Sequence, residues 1–138
     1  MRLLCVVLSG LLIGPVWAER TAPSATMAQV LNTTTSWDGS PLVYPPGKPE
    51  VTGVVLEIPP GGETGWHQHP VPLFVYVLDG EVEVVLRDGR SKHARAGESF
   101  AEVVNTWHNG RNPGTRPVRL FVVYAGSVGS PLIVNDAR

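Results

Sequence analysis

The sequence predicts an all-β protein, an antiparallel sandwich or a closed barrel, and three observations support this. The 138-residue chain carries 15 Gly and 13 Pro, a composition that favours many short strands joined by tight turns. Turn signals recur about every 8–12 residues. No long stretch shows the periodicity of an amphipathic helix. We therefore expect roughly nine to eleven strands and no helix longer than about two turns.

The composition argues for one globular domain and against two classes of partner. Hydrophobic residues make up 43% of the chain and charged residues 17%, which is enough apolar material for a core. The formal net charge is −1, and no basic run is present. We therefore expect no nucleic-acid partner and no attraction to an anionic membrane.

Residues 1–18 have the pattern of a cleavable signal peptide. Arg2 supplies the positive start, an apolar run follows, and Ala18 provides a small residue at the cleavage point. A membrane anchor is the alternative, but the run is short and contains Gly and Pro. Cleavage would remove Cys5, the only cysteine, so no internal disulfide could form. This predicts a secreted or periplasmic protein with no membrane contact after cleavage.

The remainder of the chain divides into a linker at 19–34 and a single domain at 35–138. Strands are predicted at 50–58, 73–78, 81–87, 91–95, 99–104 and 118–125, with a last edge strand at 131–134. The segment 109–117 is rich in Gly, Pro and Asn and is predicted to be a loop. Asp79-Gly80 is a hairpin turn signal. In the strand at 81–87 that follows it, alternation places Val82, Val84 and Leu86 on one face.

A His-x-His pair stands between a Pro-Pro-Gly-Gly turn and an apolar run. In a strand, His67 and His69 project from the same face while Gln68 points away. Two imidazoles on an interior face form half of a metal site, and His108 follows downstream in a similar context. The alternative is an ordinary surface pair. His93, between Lys92 and Arg95, is expected to be a solvated edge histidine.

These residues carry a resemblance to a known family. Matching positions with the family's spacing are Gly61, His67, His69 and Gly80 in a first motif, and Gly97, His108 and Asn112 in a second. In this respect the chain resembles the cupin superfamily, in its small single-domain bacterial form, over residues 53–125. The resemblance implies a jelly-roll barrel, also called a double-stranded β-helix.

The resemblance also implies a metal centre formed by His67, His69, His108 and a carboxylate. Imidazole is an effective ligand for several transition metals, and three histidines with open positions are typical of catalytic sites. The cofactor would be a divalent transition metal, Fe, Mn, Ni, Zn or Cu, and the residues do not decide between them.

The chain departs from the family where the carboxylate should be. Leu73 stands at the Glu position, and Val103 and Asn105 replace the Pro and Gly of the second motif. Without a carboxylate the ion keeps its full charge, which favours an anionic ligand and polarises bound water more strongly. Such a centre resembles the three-histidine iron site of thiol and diketone dioxygenases in the superfamily. The alternative is a barrel that has lost its metal.

Several neighbours of the histidines are candidates for other roles. Asn105 and Arg111 are the candidate substrate contacts. Glu63, near the barrel mouth, could replace the missing ligand. Trp66 and Trp107 each precede a histidine of the site, so a strand would turn them away from it, and packing is their expected role. Asn112 is expected to hydrogen-bond its own loop.

The resulting hypothesis is an exported, dioxygenase-like metal enzyme that acts on a small molecule, with an anionic ligand favoured. A non-catalytic barrel that binds a small molecule or a metal is the alternative, and a barrel without a site is a third reading. We also expect a homodimer, because cupins often pair through edge strands.

Overall fold

Nine strands form two antiparallel sheets in the computed structural model, which describes residues 24–137. The strands are β1 (Pro49–Ile58), β2 (His67–Gln68), β3 (Leu73–Asp79), β4 (Glu81–Leu86), β5 (Ser91–Arg95), β6 (Ser99–Ala101), β7 (His108–Arg111), β8 (Val118–Ser127) and β9 (Val134–Asn135). One sheet has the order β1-β8-β3-β6 and the other the order β5-β4-β7-β2-β9. This architecture confirms the predicted all-β antiparallel jelly roll.

The N-terminal predictions are only partly within the described residues. The signal peptide at 1–18 and residues 19–23 of the linker lie outside them. Residues 24–34 form no regular strand or helix. This segment already contacts the first sheet, because Ser99 Oγ of β6 donates to Val30 O. Thr35 then forms a β-bridge with Pro41, and Trp37 N–H donates to Ala101 O at 3.0 Å. Within the described range, no helix has the length and hydropathy needed to cross a membrane.

Strand β8 is the centre of the first sheet. Its ten residues pair in register with all of β1, from Ser127 opposite Pro49 to Val118 opposite Ile58. On its other side it pairs with β3. Alternate residues along β8 are buried, as expected for a strand with one face on the core.

The turn between β3 and β4 requires glycine. Gly80 has a φ of 77°, in the left-handed region that glycine adopts without cost. A Cβ there would lie 3.0 Å from both Pro117 O and Val118 Cα. The predicted Asp79-Gly80 turn is therefore fixed by backbone conformation and by close packing against β8.

The core lies between the two sheets and follows the predicted alternation. Val82, Val84 and Leu86 of β4 are buried, and the residues between them are half-buried. The hydrophobic cluster of the core comprises Ile58, Val71, Leu73, Val75, Val77, Val82, Val84, Ala94, Phe100, Val118, Leu120, Val122 and Tyr124. Both sheets contribute to it, so one core holds them together.

The predicted loop at 109–117 is wrong at its beginning. Strand β7 continues to Arg111 and pairs with β4, with Gly110 opposite Val84. Asn-Gly is a local turn signal, but here it lies inside a sheet, and the Asn109 amide donates to Glu63 Oε2 at 2.7 Å. Tertiary contacts outweigh the local preference. The predicted strand 99–104 also ends early, at Ala101.

Candidate metal centre

The sheet register brings the three predicted histidines together. His67 of β2 is the direct cross-strand partner of His108 of β7, so their side chains share a face. His69, two residues after His67, points to the same side. The ring centroids are 4.4 Å apart for His67 and His108, 4.8 Å for His67 and His69, and 5.0 Å for His69 and His108. All three residues are buried.

Each imidazole has its Nδ1 atom 2.8 Å from a backbone carbonyl oxygen. The acceptors are the carbonyl oxygens of Gly65 for His67, Leu132 for His69 and Thr106 for His108. Because a carbonyl only accepts, Nδ1 must carry the proton, and the Nε2 lone pair is left free. Histidine ligands of metals are commonly oriented in this way by the hydrogen bond of their other nitrogen.

The three rings are neutral near pH 7. Burial is the main cause that lowers the pKa of each, and it brings that of His69 to about 3. The nearby rings add to this effect at His67 and His69. Neutral imidazole is the form that coordinates a metal, so no proton needs to leave before an ion binds.

The ring nitrogens are near enough for a shared ion after the rings move closer together. One ring nitrogen from each histidine lies within 4.8 Å of the others. Three nitrogens on a tetrahedral ion, each about 2.1 Å from it, would be about 3.4 Å apart. The rings would therefore have to approach one another by up to about 1.4 Å to bind one ion. Leu73, buried in the same cavity, offers no donor.

The histidines line a cavity of about 410 Å³. Its wall is largely aliphatic and includes Ile58, Val75, Val82, Leu120 and Val122. The other polar side chains that line it are those of Thr64, Glu102, Tyr124 and Asn135. Among the described residues, no lysine or arginine lines this cavity. The cavity therefore combines a group of possible metal ligands with a largely apolar wall.

Glu102 is the functional candidate that sequence reasoning missed. It directly follows β6, is 4% exposed and lines the cavity. Its Oε1 accepts from Trp37 Nε1 at 2.7 Å and from Val103 N at 2.9 Å. Burial nevertheless raises the pKa of Glu102 to about 7. The sequence does carry a signal for this residue, because Glu102 is the one acid in the apolar run from Phe100 to Val104 and shares the strand face of buried Phe100.

A carboxylate does lie next to position 73, just after the neighbouring strand β6. The backbone N–H of Glu102 donates to Leu73 O at 3.0 Å, so the two residues are neighbours across strands. Both side chains line the same cavity. Glu102 does not belong to the group of ligand atoms within 4.8 Å of one another, which consists of the three histidines.

The predicted substrate contacts lie outside this cavity. Asn105 is exposed, and its φ of 52° places it in the left-handed region, at the position where the family motif has Gly. Its N–H donates to His69 O at 2.8 Å. Arg111 Nε lies 3.6 Å from Glu63 Oε2. None of these three residues lines the histidine cavity, and contact with a substrate at its rim stays a prediction.

The two tryptophans point away from the histidines, as predicted. The Arg87 guanidinium lies over both rings, with its Cζ 5.3 Å from the ring centroid of Trp66 and 5.1 Å from that of Trp107. Arg87 also forms an ion pair with Asp136. These contacts tie β4 to the residues just before β2 and β7, and so support the backbone that carries His67 and His108.

Asn112 and His93 also follow the expectations. Asn112 is buried and ties its loop together through its amide, with donation to Ile58 O and Arg116 O at 2.9 and 2.8 Å. His93 is 53% exposed, and its Nε2 lies 3.5 Å from Glu83 Oε1. It does not belong to the group of three buried histidines.

Known structures share the fold over part of their length. Oxalate oxidase in complex with the substrate analogue glycolate is 27% identical with a TM-score of 0.53, and the match covers 61% of this chain and 45% of that one. The polyketide cyclase RemF from Streptomyces resistomycificus is 27% identical with a TM-score of 0.53, over 62% of this chain and 59% of that one. The DMSP lyase DddQ from Ruegeria pomeroyi is 22% identical with a TM-score of 0.53, and the match covers 62% of this chain and 42% of that one.

The matched region is therefore less than two thirds of the length of each of these three enzymes. No curated protein matches the chain. The family model described as Cupin domain matches residues 54–124, a range that contains all three histidines and Glu102. Together with the antiparallel jelly roll, this match shows that the chain belongs to the cupin family.

Proposed function

We propose that this chain is a metal-dependent, dioxygenase-like enzyme that acts on a small molecule. The observation that carries the proposal is the group of three buried histidines that line one cavity and whose ligand nitrogens lie within 4.8 Å of one another. His67, His69 and His108 would hold the ion. When bound, the ion would act as a Lewis acid and offer open positions to oxygen or to a substrate.

The cavity indicates the class of substrate. Its aliphatic wall would exclude water and pack against an apolar body. Since no lysine or arginine of the described residues lines it, a negative charge on the ligand would be met by the ion alone. We therefore propose a small molecule with an apolar body and one or two oxygen donors directed at the histidines, with an anionic donor favoured.

The alternative is a binding module without chemistry. The observation that favours it is buried Leu73 at the position of the family's carboxylate, which leaves only three protein ligands. Recovery of an unchanged ligand from the native source, with no turnover under air, would support this function.

Export and dimerisation are further parts of the proposal. The apolar run within residues 1–18 supports export to the periplasm or the medium. Strand β1 is an edge strand of its sheet, and Val51 and Val55 on it are exposed, which supports pairing with a second copy. Sedimentation equilibrium of wild type and Val55→Lys tests the homodimer, and monomeric wild type would exclude it.

The test of the enzymatic proposal begins with metal content. The chain is stripped with a chelator, reloaded separately with Fe(II), Mn(II), Ni(II), Zn(II) and Cu(II), and the bound metal per chain is measured. We expect about one ion per chain in wild type and in the control variant His93→Ala, whose ring is exposed. His69→Ala and His108→Ala should each lose at least about tenfold in metal affinity.

Oxygen uptake is then followed with apolar phenols, enols and thiols. Consumption that depends on the added compound and is absent in His108→Ala supports the enzyme. Stoichiometric metal without turnover of any of these compounds supports the binding module instead. Absence of bound metal in wild type would refute both readings of the histidine centre.

A further inference from the structure

Glu102 has one carboxylate oxygen fixed and the other free. Trp37 Nε1 and Val103 N both donate to Oε1. Among residues 24–137, no hydrogen bond reaches Oε2, yet no buried side-chain oxygen or nitrogen lacks a partner. Oε2 must therefore be open to the cavity that Glu102 lines together with the three histidines.

The fixed oxygen determines where the free one points. The indole of Trp37, partly buried against the core, reaches Glu102 from 65 positions away in the sequence. Two donors on one oxygen leave the carboxylate little freedom to rotate, so Oε2 is held toward the cavity. No hydrogen bond joins Glu102 to any of the three histidines in the described part of the chain. A buried acid without an ion-pair partner is costly, which argues for a functional role.

We propose that Glu102 is the proton-transfer residue of this site, and that it exchanges a proton with the molecule held at the three histidines. The inference rests on the proposed function. In the step, an O–H bond of the bound molecule breaks and its electron pair stays on that oxygen. The proton forms an O–H bond with Oε2, and the reverse step returns it to the product. The substrate class is therefore an enol, a phenol or a related compound with an acidic hydroxyl.

The surroundings of Glu102 suit this task near neutral pH. Burial raises its pKa to about 7, and the two hydrogen bonds and the nearby His67 oppose that rise while Asp38 adds to it. Tyr124 of β8 lines the same cavity. Burial is the main cause that raises the pKa of its phenol, and the nearby Glu102 raises it further. A carboxyl group with a pKa near the ambient pH can both accept and donate a proton.

The test counts protons when a probe binds. Zinc-loaded chain is titrated by calorimetry with nitrocatechol, a chelating phenol, in two buffers of different ionisation enthalpy at pH 8. Nitrocatechol must lose a hydroxyl proton when it chelates. We expect wild type to release about one proton fewer to the buffer than Glu102→Gln, because ionised Glu102 takes it up. Below about pH 6, where Glu102 is already protonated, this difference should vanish.

Two further variants complete the design. Glu57→Gln, which removes an exposed carboxylate outside the cavity, should behave like wild type. Trp37→Phe keeps the carboxylate and removes one donor to Oε1. Because that hydrogen bond lowers the pKa of Glu102, its loss should raise this pKa, so the uptake of a proton by Glu102 should begin at a higher pH than in wild type. This variant tests the inference even where Glu102→Gln fails to fold.

The outcomes separate the two proposals. Equal zinc binding and equal proton release in wild type and Glu102→Gln at pH 8 would overturn the role of Glu102 and leave the metal centre intact. Loss of zinc in Glu102→Gln would also overturn it, because Glu102 would then be a metal ligand. Absence of zinc in wild type would refute the metal centre and, with it, this inference.

Discussion

Replacement of Glu102 by Gln should remove a specific pH dependence from the stability of the metal-free protein. Gln has the size of Glu, and its side-chain oxygen can accept from both Trp37 Nε1 and Val103 N, which donate to Glu102 Oε1 in wild type. The variant therefore keeps the hydrogen bonds and packing and removes only the ionisable group.

The sign and size follow from the pKa of Glu102, which burial raises from 4.5 to about 7 in the folded chain. The folded state thus binds its proton more tightly than the unfolded state. The stabilisation is fully present below about pH 4.5 and is lost as the pH rises through about 7. Between pH 5 and pH 8 the loss amounts to roughly 2–3 kcal/mol of unfolding free energy. Glu102→Gln does not have this loss.

Urea unfolding of chelator-treated wild type and Glu102→Gln at pH 5, 6, 7 and 8 measures the effect. The unfolding free energy of the variant minus that of wild type should rise by roughly 2–3 kcal/mol across this range. The histidines affect both proteins equally, so their effect cancels in the difference. Glu57→Gln serves as the exposed-carboxylate control. A difference that stays constant with pH would refute the assignment of Glu102 as a buried acid with a raised pKa.

Three other perturbations test the site and the core. Burial lowers the pKa of His67, His69 and His108, so the metal-free chain should lose stability as the pH falls below about 6.5, by up to about 1.4 kcal/mol per pH unit for each neutral ring. In urea unfolding, the free energy of unfolding of His69→Gln should therefore fall less steeply with decreasing pH than that of wild type, and an equal slope would contradict this. Asn105 has a φ of 52°, which strains a branched side chain. Asn105→Gly should therefore leave the thermal stability nearly unchanged, whereas Asn105→Val should cost about 1–3 kcal/mol. Equal stability of the two variants would argue against the strain. Leu120→Ala, in the core and on the cavity wall, should cost about 2–5 kcal/mol in urea unfolding, and a cost below about 1 kcal/mol would show that this wall is loosely packed.

The sequence predicted much of the fold because its signals are local. The period-two pattern of β4 and the Asp79-Gly80 turn depend on neighbouring residues only, and both are present in the structure. The placement of His67 and His69 on one face follows from the same period. The spacing shared with the cupin family then related His108 to them, and the ring distances confirm that the three converge.

The features that were missed depend on contacts distant in sequence. Asn109 and Gly110 resemble a turn, and only the pairing of β7 with β4 makes them part of a strand. Glu102 becomes a site residue because Trp37, 65 positions earlier, donates to it and because Leu73 lies on the next strand. The left-handed conformation of Asn105 was likewise not predicted, although Asn is one of the residues that tolerate it.

The convergence of three neutral imidazoles on one ion is the central claim, and X-ray absorption of the metal-loaded chain tests it most directly. The fine structure at the metal edge should show three imidazole nitrogens at about 2.0–2.2 Å, and His108→Ala should show fewer or bind no metal. A spectrum with one imidazole or none, or one unchanged in His108→Ala, would contradict the account.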